Sequence, residues 1–224
     1  MFALLAVRMP TRRLFPASCV ALALSLCIQL PALADGDSTP SGVVYVESNN
    51  STPGGNSIFA FKRSADGSLT ALNGSPFLTG GTGGTPSFDL GPFDSDQDIV
   101  VDRDRDLLFA VNSGSNDISV FRILGDGSLV PVNGSPFPSW GFDPVSVGLK
   151  GDILTVVNKH QDPSQTADQT LPNYTTFRVA EDGQLAHIPY STARVAVGSS
   201  PSQALISPID RFVFGADFMG GLLQ

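Results

Sequence analysis

Lys159 and His160 stand side by side, and their types suit a water-driven attack on a carbonyl. An imidazole can take the proton of the attacking water, and an ammonium can offset the charge that develops on the carbonyl oxygen. The pair follows the apolar run "ILTVVN" and opens the long polar stretch "KHQDPSQTADQTLPN". The plainer reading of His160 is a solvated loop histidine. His187, near Pro189, reads as structural or surface. Glu47 begins another Gly- and Asn-rich stretch, where it could act as a carboxylate partner or hydrogen-bond its own loop. Asn49, Asn112 and Asn158 recur after apolar runs, and Asp217 takes the equivalent place later in the chain. Such side chains commonly close loops through backbone hydrogen bonds. The expected catalytic pair is His160 with Lys159, and the expected substrate-binding set is Glu47, Asn112, Asn158 and Asp217.

Two aspartate ladders, Asp94/Asp96/Asp98 and Asp102/Asp104/Asp106, raise the question of calcium, which takes oxygen ligands. Leu107 stands where a calcium-binding EF-hand loop needs glycine, and Ser113 where it needs the bidentate glutamate. Arg103 and Arg105 can neutralise the second ladder. The expectation is no metal and no cofactor. The sequence also lacks a GxSxG elbow, a phosphate loop and an HExxH pair.

The segment that precedes these residues has a different character. Arg8, Arg12 and Arg13 are followed by "FPASCVALALSLCIQLPALA", which ends in a small-x-small pattern before Asp35. That is the form of a secretory signal peptide. Pro16 and Pro31 interrupt it, which disfavours the rival reading, an uncleaved anchor helix. Residues 1–34 are read as the leader and 35–41 as a short linker, so the protein is expected to be secreted or periplasmic. Cys19 and Cys27 both leave with the leader. The remainder has no thiol nucleophile and must fold without disulfides. It keeps ten basic residues against twenty-one acidic ones, a formal charge of −11. Nucleic acid, bound through neutralised phosphates, is not an expected partner, and no membrane association is expected after cleavage. Nineteen of the acids are Asp, and with 23 Gly and 17 Pro they indicate strands and turns rather than helices.

A repeat organises those strands. "SIFAFKRSADGSLTALNGSPF" from Ser57 and "DISVFRILGDGSLVPVNGSPF" from Asp117 align without a gap, and "YTTFRVAEDGQLAHIPYS" from Tyr174 is a looser third copy. Phe61, Phe121 and Phe177 correspond, at spacings of 60 and 56. Each copy holds an alternating run, an Asp-Gly hairpin turn and a second short strand. Upstream of each lies an apolar strand, such as "LLFAVNS", and in later copies another strand ending in a polar turn, such as "DIVVDRDRD". Four antiparallel strands repeated in this way describe one blade of a β-propeller, whose sheets bury both faces only by stacking on like neighbours. NGSPF reads as the exit of the outermost strand, with Phe77 and Phe137 packing back between blades. An open β-sandwich is the simpler rival, but it does not account for a gapless repeat.

The fold class is therefore all-β, a propeller of four-stranded antiparallel blades at about 42–77, 97–137 and 144–190, with a further one starting at 201–224. This gives about three to three and a half blades. The first lacks its innermost strand and "GLLQ" opens a third strand, so the expectation is an N-terminal fragment of a larger ring. A half-ring that dimerises is the alternative.

With the blade defined, "LLFAVNSGSNDISVFRILGDGSL" and "PSQALISPIDRFVFGAD" resemble the lactonase family of YVTN-type propellers, the 6-phosphogluconolactonase-like group. The resemblance implies seven blades and hydrolysis of a sugar lactone. An export signal departs from a cytosolic sugar-phosphate lactonase.

In a four-stranded meander, the loops joining strands two and three share an end with the links between blades. Here that end carries the long Gly- and Asn-rich loops, while the opposite end carries tight turns such as Asp66-Gly67 and Asp126-Gly127. Long loops on a rigid scaffold are the expected functional face. The leading expectation is an exported, metal-independent lactonase, a carboxylic ester hydrolase acting on a small-molecule lactone. The alternative is a non-catalytic propeller that binds a protein or glycan ligand.

Overall fold

The structure, a computed structural model, describes residues 42–84, 98–159, 171–209 and 211–224. The leader, Asp94, Asp96 and His160 lie outside the described residues. Strands β1 (Val43–Glu47), β2 (Ser57–Arg63), β3 (Leu69–Ala71) and β4 (Phe77–Leu78) form the first sheet. The second holds β5 (Ile99–Asp102), β6 (Leu107–Asn112), β7 (Asp117–Ile123), β8 (Leu129–Pro131) and β9 (Phe137–Pro138). The third holds β10 (Pro144–Lys150), β11 (Ile153–Asn158), β12 (Asn173–Val179), β13 (Leu185–His187) and β14 (Ala193–Arg194). Beyond them β15 (Leu205–Ile206) pairs with β16 (Val213–Phe214), and β17 (Ala216–Asp217) with β18 (Leu222–Leu223). All these pairings are antiparallel, and the described residues contain no helix.

The repeat register carries through to the coordinates. β2, β7 and β12 take equivalent places in successive sheets, and Phe61, Phe121 and Phe177 face Ala71, Pro131 and His187 across the same pairing. The Asp-Gly turns close hairpins with Gly67, Gly127 and Gly183 at positive φ, the conformation that glycine adopts without a Cβ clash. Gly127 and Gly183 also lie tightly against the preceding sheet, on Val43 and on Leu107 and Val132 respectively.

NGSPF does not end the outer strand. It kinks it. β3 pairs with the second half of β2, and after the motif β4 returns to the first half, with Ile58 opposite Phe77. The second sheet repeats this, with Ile118 opposite Phe137. At the kink the strand loses a carbonyl partner for one amide, and a serine hydroxyl takes it. Ser75 Oγ accepts from Ala60 N (2.9 Å), Ser135 Oγ from Val120 N (2.9 Å) and Ser191 Oγ from Thr176 N (3.2 Å). The motif was read as an exit because its Pro forbids a donor. The chain satisfies that constraint with a local side-chain bond and then resumes pairing.

The core lies between sheets, as stacking requires. Ile58 of the first sheet packs with Leu108, Ala110 and Phe121 of the second, and Phe77 leans on the same cluster. Leu107, Phe109 and Val120 of the second meet Val147, Leu154 and Phe177 of the third, joined by Phe137. Val145, Val157 and Tyr174 continue to Ala204. Every residue of β6 is buried because sheets cover both its faces. That is why its sequence is a continuous apolar run rather than an alternating one. Burying a side chain such as Phe109 or Leu108 contributes about 1.5–3 kcal/mol.

Candidate functional site

The long loops and inter-sheet links gather at one end of the sheets. The 48–56 loop meets the 79–84 link, where Gly83 N donates to Asn50 O (2.8 Å). The loop after β6 reaches the start of β10, where Ser113 Oγ donates to Pro144 O (2.7 Å). Asn116 Oδ1 accepts from Asp143 N (2.8 Å), and Asp143 O in turn accepts from Lys159 N (2.9 Å). This chain of contacts carries the end of the second sheet to the lysine.

Asn112 lies inside this end rather than on it. It is fully buried, and all four of its hydrogen-bonding sites are used. Its Oδ1 accepts from Asn56 Nδ2 (2.8 Å) and Thr79 Oγ1 (2.7 Å), both from the first sheet and its link. Its Nδ2 donates to Asp117 Oδ1 (2.6 Å) and Ser119 Oγ (2.7 Å) of its own sheet. Asn158 repeats the arrangement one sheet on, where Nδ2 donates to Ser139 O (3.2 Å) and Asn173 Oδ1 (2.9 Å). Asp217, also buried, accepts from Ser200 N and Gly220 N (2.9 Å each) and from Gln224 Nε2 (3.2 Å). Burial pushes its carboxyl up, but these bonds outweigh it and hold the carboxyl below its usual range. The three residues thus take equivalent places in successive sheets, each tying its sheet to the link that arrives from the one before. The polar atoms of Asn112 and the carboxylate of Asp217 are committed to those ties, whereas Asn158 Oδ1 is buried with no hydrogen-bond partner. Asn49 does not join the series. Ser48 is the residue opposite Ser57, while Asn49 lies one step beyond at φ +47° and accepts from Gly84 N (2.7 Å).

The partners of Asn112 and Asn158 were present in the sequence and were not read as functional. Thr79 and Ser139, and likewise Gly81 and Gly141, stand sixty positions apart, just past the two NGSPF motifs.

Glu47, at the end of β1, accepts from the same Asn56 Nδ2 through Oε1 (2.7 Å). Asn56 therefore joins Glu47 to Asn112. The second oxygen, Oε2, is buried and has no hydrogen-bond partner. Burial raises the Glu47 carboxyl well above its usual range, the charge of Asp98 adds to this, and the Asn56 bond partly offsets it. Asp98 is itself raised, chiefly by burial. The protonated form, which this burial favours, can donate from Oε2.

Lys159 follows β11 directly. Its side chain is 1% exposed, and burial lowers its pKa to about 8. A desolvated ammonium interacts with a nearby developing charge far more strongly than a solvated one. Its sequence neighbour His160 lies outside the described residues. His187 is on the outer edge, stacked on Trp140 with ring centroids 4.2 Å apart.

The opposite end is built of tight turns that also tie sheet to sheet. Asp102 pairs with Arg105 (2.5 Å) and accepts from Asp104 N (3.0 Å), so the first carboxylate of the second aspartate ladder is taken up within its own turn. Arg105 reaches on to Gly151 O and Val179 O, and Lys150 to Ser207 O and Pro208 O. An open cleft of about 790 Å³ lies here, lined by Arg103, Asp104 and Asp152 among others. Among the described residues no group of three or more His, Cys, Asp or Glu gathers in a way that could hold a metal. No helix among them is long and apolar enough to cross a membrane.

No family model matches the chain, and no curated protein is detectably similar in sequence. Solved structures are similar. A candidate 6-phosphogluconolactonase from Bacteroides uniformis matches with a TM-score of 0.57 at 15% identity, over 81% of this chain and 48% of its own. One from Bacteroides fragilis matches with a TM-score of 0.52 at 18% identity, over 82% and 47%. A protein from Lactobacillus plantarum matches with a TM-score of 0.55 at 16% identity, over 83% and 52%. In fold, the chain is a β-propeller similar to these structures. It spans about half the length of the structures it matches. At these identities the likeness is one of architecture, and the propeller here is characterised chemically by its own residues.

Proposed function

We propose that this chain is part of an exported propeller that opens a sugar-type lactone at its long-loop end. The observation that carries the reading is Lys159, a buried ammonium with a pKa lowered to about 8, placed at the end of β11 beside His160 in sequence. In the proposed step His160 takes a proton from water, and the resulting hydroxide adds to the lactone carbonyl. Lys159 offsets the negative charge on the carbonyl oxygen. The tetrahedral intermediate then collapses, the ring C–O bond breaks, and the departing alkoxide takes the proton back from the imidazolium. The product is the open hydroxy acid, and neither metal nor oxidant enters the balance. The likeness in fold to candidate 6-phosphogluconolactonases supports this substrate class, and the leader sequence supports export.

The test follows hydrolysis of glucono-δ-lactone above its spontaneous rate, with wild type, His160→Ala and Lys159→Met. The expected result is turnover by the wild type and its loss in both variants, with their thermal unfolding still cooperative. Turnover in a folded His160→Ala protein at the wild-type rate would remove the mechanism. A folded wild type without turnover on any sugar lactone would leave this face as a ligand-binding surface.

A further inference from the structure

Two positions in the repeat carry glycine at positive φ in the first sheet, and both acquire an exposed aromatic residue further along. Gly80, just past the first NGSPF motif, has φ +82°, while its counterpart sixty residues on is Trp140 at φ +62°. Gly74 and Gly134, the glycines of the two NGSPF motifs, have φ +85° and +88°, while the third copy places Tyr190 there at φ +63°. A left-handed conformation is unfavourable for a bulky side chain, and such outliers persist where function requires them. Burial does not explain either residue. Trp140 is 59% exposed and Tyr190 fully so. His187 connects the two, by stacking on one side and along the chain on the other. Trp140 stacks on His187 of β13 at 4.2 Å and 13°, and Tyr190 lies in the turn that follows that strand. His187 is fixed in turn by an edge contact with Phe177 (6.0 Å) and a bond to Thr192 Oγ1 (3.4 Å). One face of the indole is therefore backed by an anchored ring. Its remaining exposure leaves the other face open to solvent.

We propose that Trp140 and Tyr190 form a carbohydrate-stacking platform on the outer edge of the third sheet, with His187 as the backing of the indole. A pyranose ring offers an apolar C–H face and a rim of hydroxyls. The platform offers flat aromatic faces beside a phenol. The apolar area is two rings rather than the broad aliphatic core of a protein interface, which favours a sugar as occupant. The platform uses neither Lys159 nor His160, so it stands or falls independently of the proposed hydrolysis.

Trp140 is the only tryptophan in the chain, so its fluorescence reports this site alone. The probes are soluble hexamers of β-1,4-glucose, α-1,4-glucose and β-1,4-N-acetylglucosamine, titrated into the full chain. The expected result is a saturable shift with at least one of them. Tyr190→Gly keeps the fluorophore and restores the residue that the repeat uses, so it should fold at least as well and bind about tenfold more weakly. Trp140→Gly, likewise a return to the repeat, should abolish the heat of binding in calorimetry. The proposal is overturned if no hexamer shifts the emission up to about 10 mM, if Tyr190→Gly binds as the wild type does, or if only aromatic peptides give a response.

Discussion

Gly81 lies flat against the side chain of Asn112, so closely that a Cβ on the glycine would stand 2.3 Å from Asn112 Cγ. Gly141 has the same relation to Asn158, at 2.4 Å. Neither asparagine can retreat without breaking the bonds that tie its sheet to the preceding link. Gly81→Ala should therefore cost about 1–3 kcal/mol in urea unfolding, and Gly141→Ala a similar amount. Because the two contacts lie at different inter-sheet junctions, the double variant should show the sum of the two losses. A midpoint unchanged by Gly81→Ala would mean that the link is not held against Asn112 in solution.

Asn112→Asp changes one atom and should be severe. The new oxygen would face Asp117 Oδ1, which now receives a hydrogen bond from Nδ2 at 2.6 Å. A buried acceptor and a half-buried one would then oppose each other, a loss of about 3 kcal/mol at neutral pH. Asp117 is already raised by burial, so acid should restore a proton between the pair and recover part of the stability. Unfolding midpoints at several pH values give the answer, and a deficit that grows toward acid would contradict the geometry.

Glu47 sets a dependence of the same sense in the wild-type chain. Its folded pKa is raised, so the folded chain holds the proton more tightly than the unfolded chain does. The associated stability is complete below the ordinary carboxylate pKa and is lost as pH rises through the raised value. Glu47→Gln keeps an acceptor for Asn56 and cannot ionise. It should unfold at a higher temperature than wild type near pH 8 and converge with it near pH 4. A variant that follows the wild-type curve across that range would show that Glu47 is not desolvated.

Lys159 separates activity from stability. With a folded pKa of about 8 against an ordinary 10.5, folding disfavours its charge. That penalty is constant below about 8 and is relieved between about 8 and 10.5, so stability should rise across this interval. The proposed lactone opening needs the ammonium, so kcat/KM should fall as pH passes about 8. Lys159→Met should lose turnover and flatten the alkaline rise in stability. An alkaline limb that stays in place in the variant would assign it to another group.

The architecture was legible because it rests on local chemistry. Asp-Gly fixed the hairpins, the continuous apolar run of β6 marked a strand covered on both faces, and the spacing of Phe61, Phe121 and Phe177 set the register of successive sheets. What escaped depends on neighbours far along the chain. Pro76 and Pro136 look like strand ends until Ser75 and Ser135 are seen to accept the orphaned strand amide. Lys159 is flanked by polar letters that give no sign of burial, and its burial arises only from the packed sheets around the end of β11. Asn112 and Asn158 were correctly seen to recur, but a loop-closing side chain and an inter-sheet tie are written with the same letter. Only Thr79, Gly81 and their counterparts, at matching offsets, distinguish the two.

The tie between Gly81 and Asn112 also defines how this protein can be recombined. Each junction draws one partner from the tail of a sheet and the other from the heart of the next. A graft that exchanges a whole sheet at its own boundaries must therefore match a resident glycine to a foreign asparagine at one seam and a foreign glycine to a resident asparagine at the other. A crossover placed within the loop after β6 keeps Gly81 with Asn112 and Gly141 with Asn158, and transposes the interlocking unit instead of the sheet.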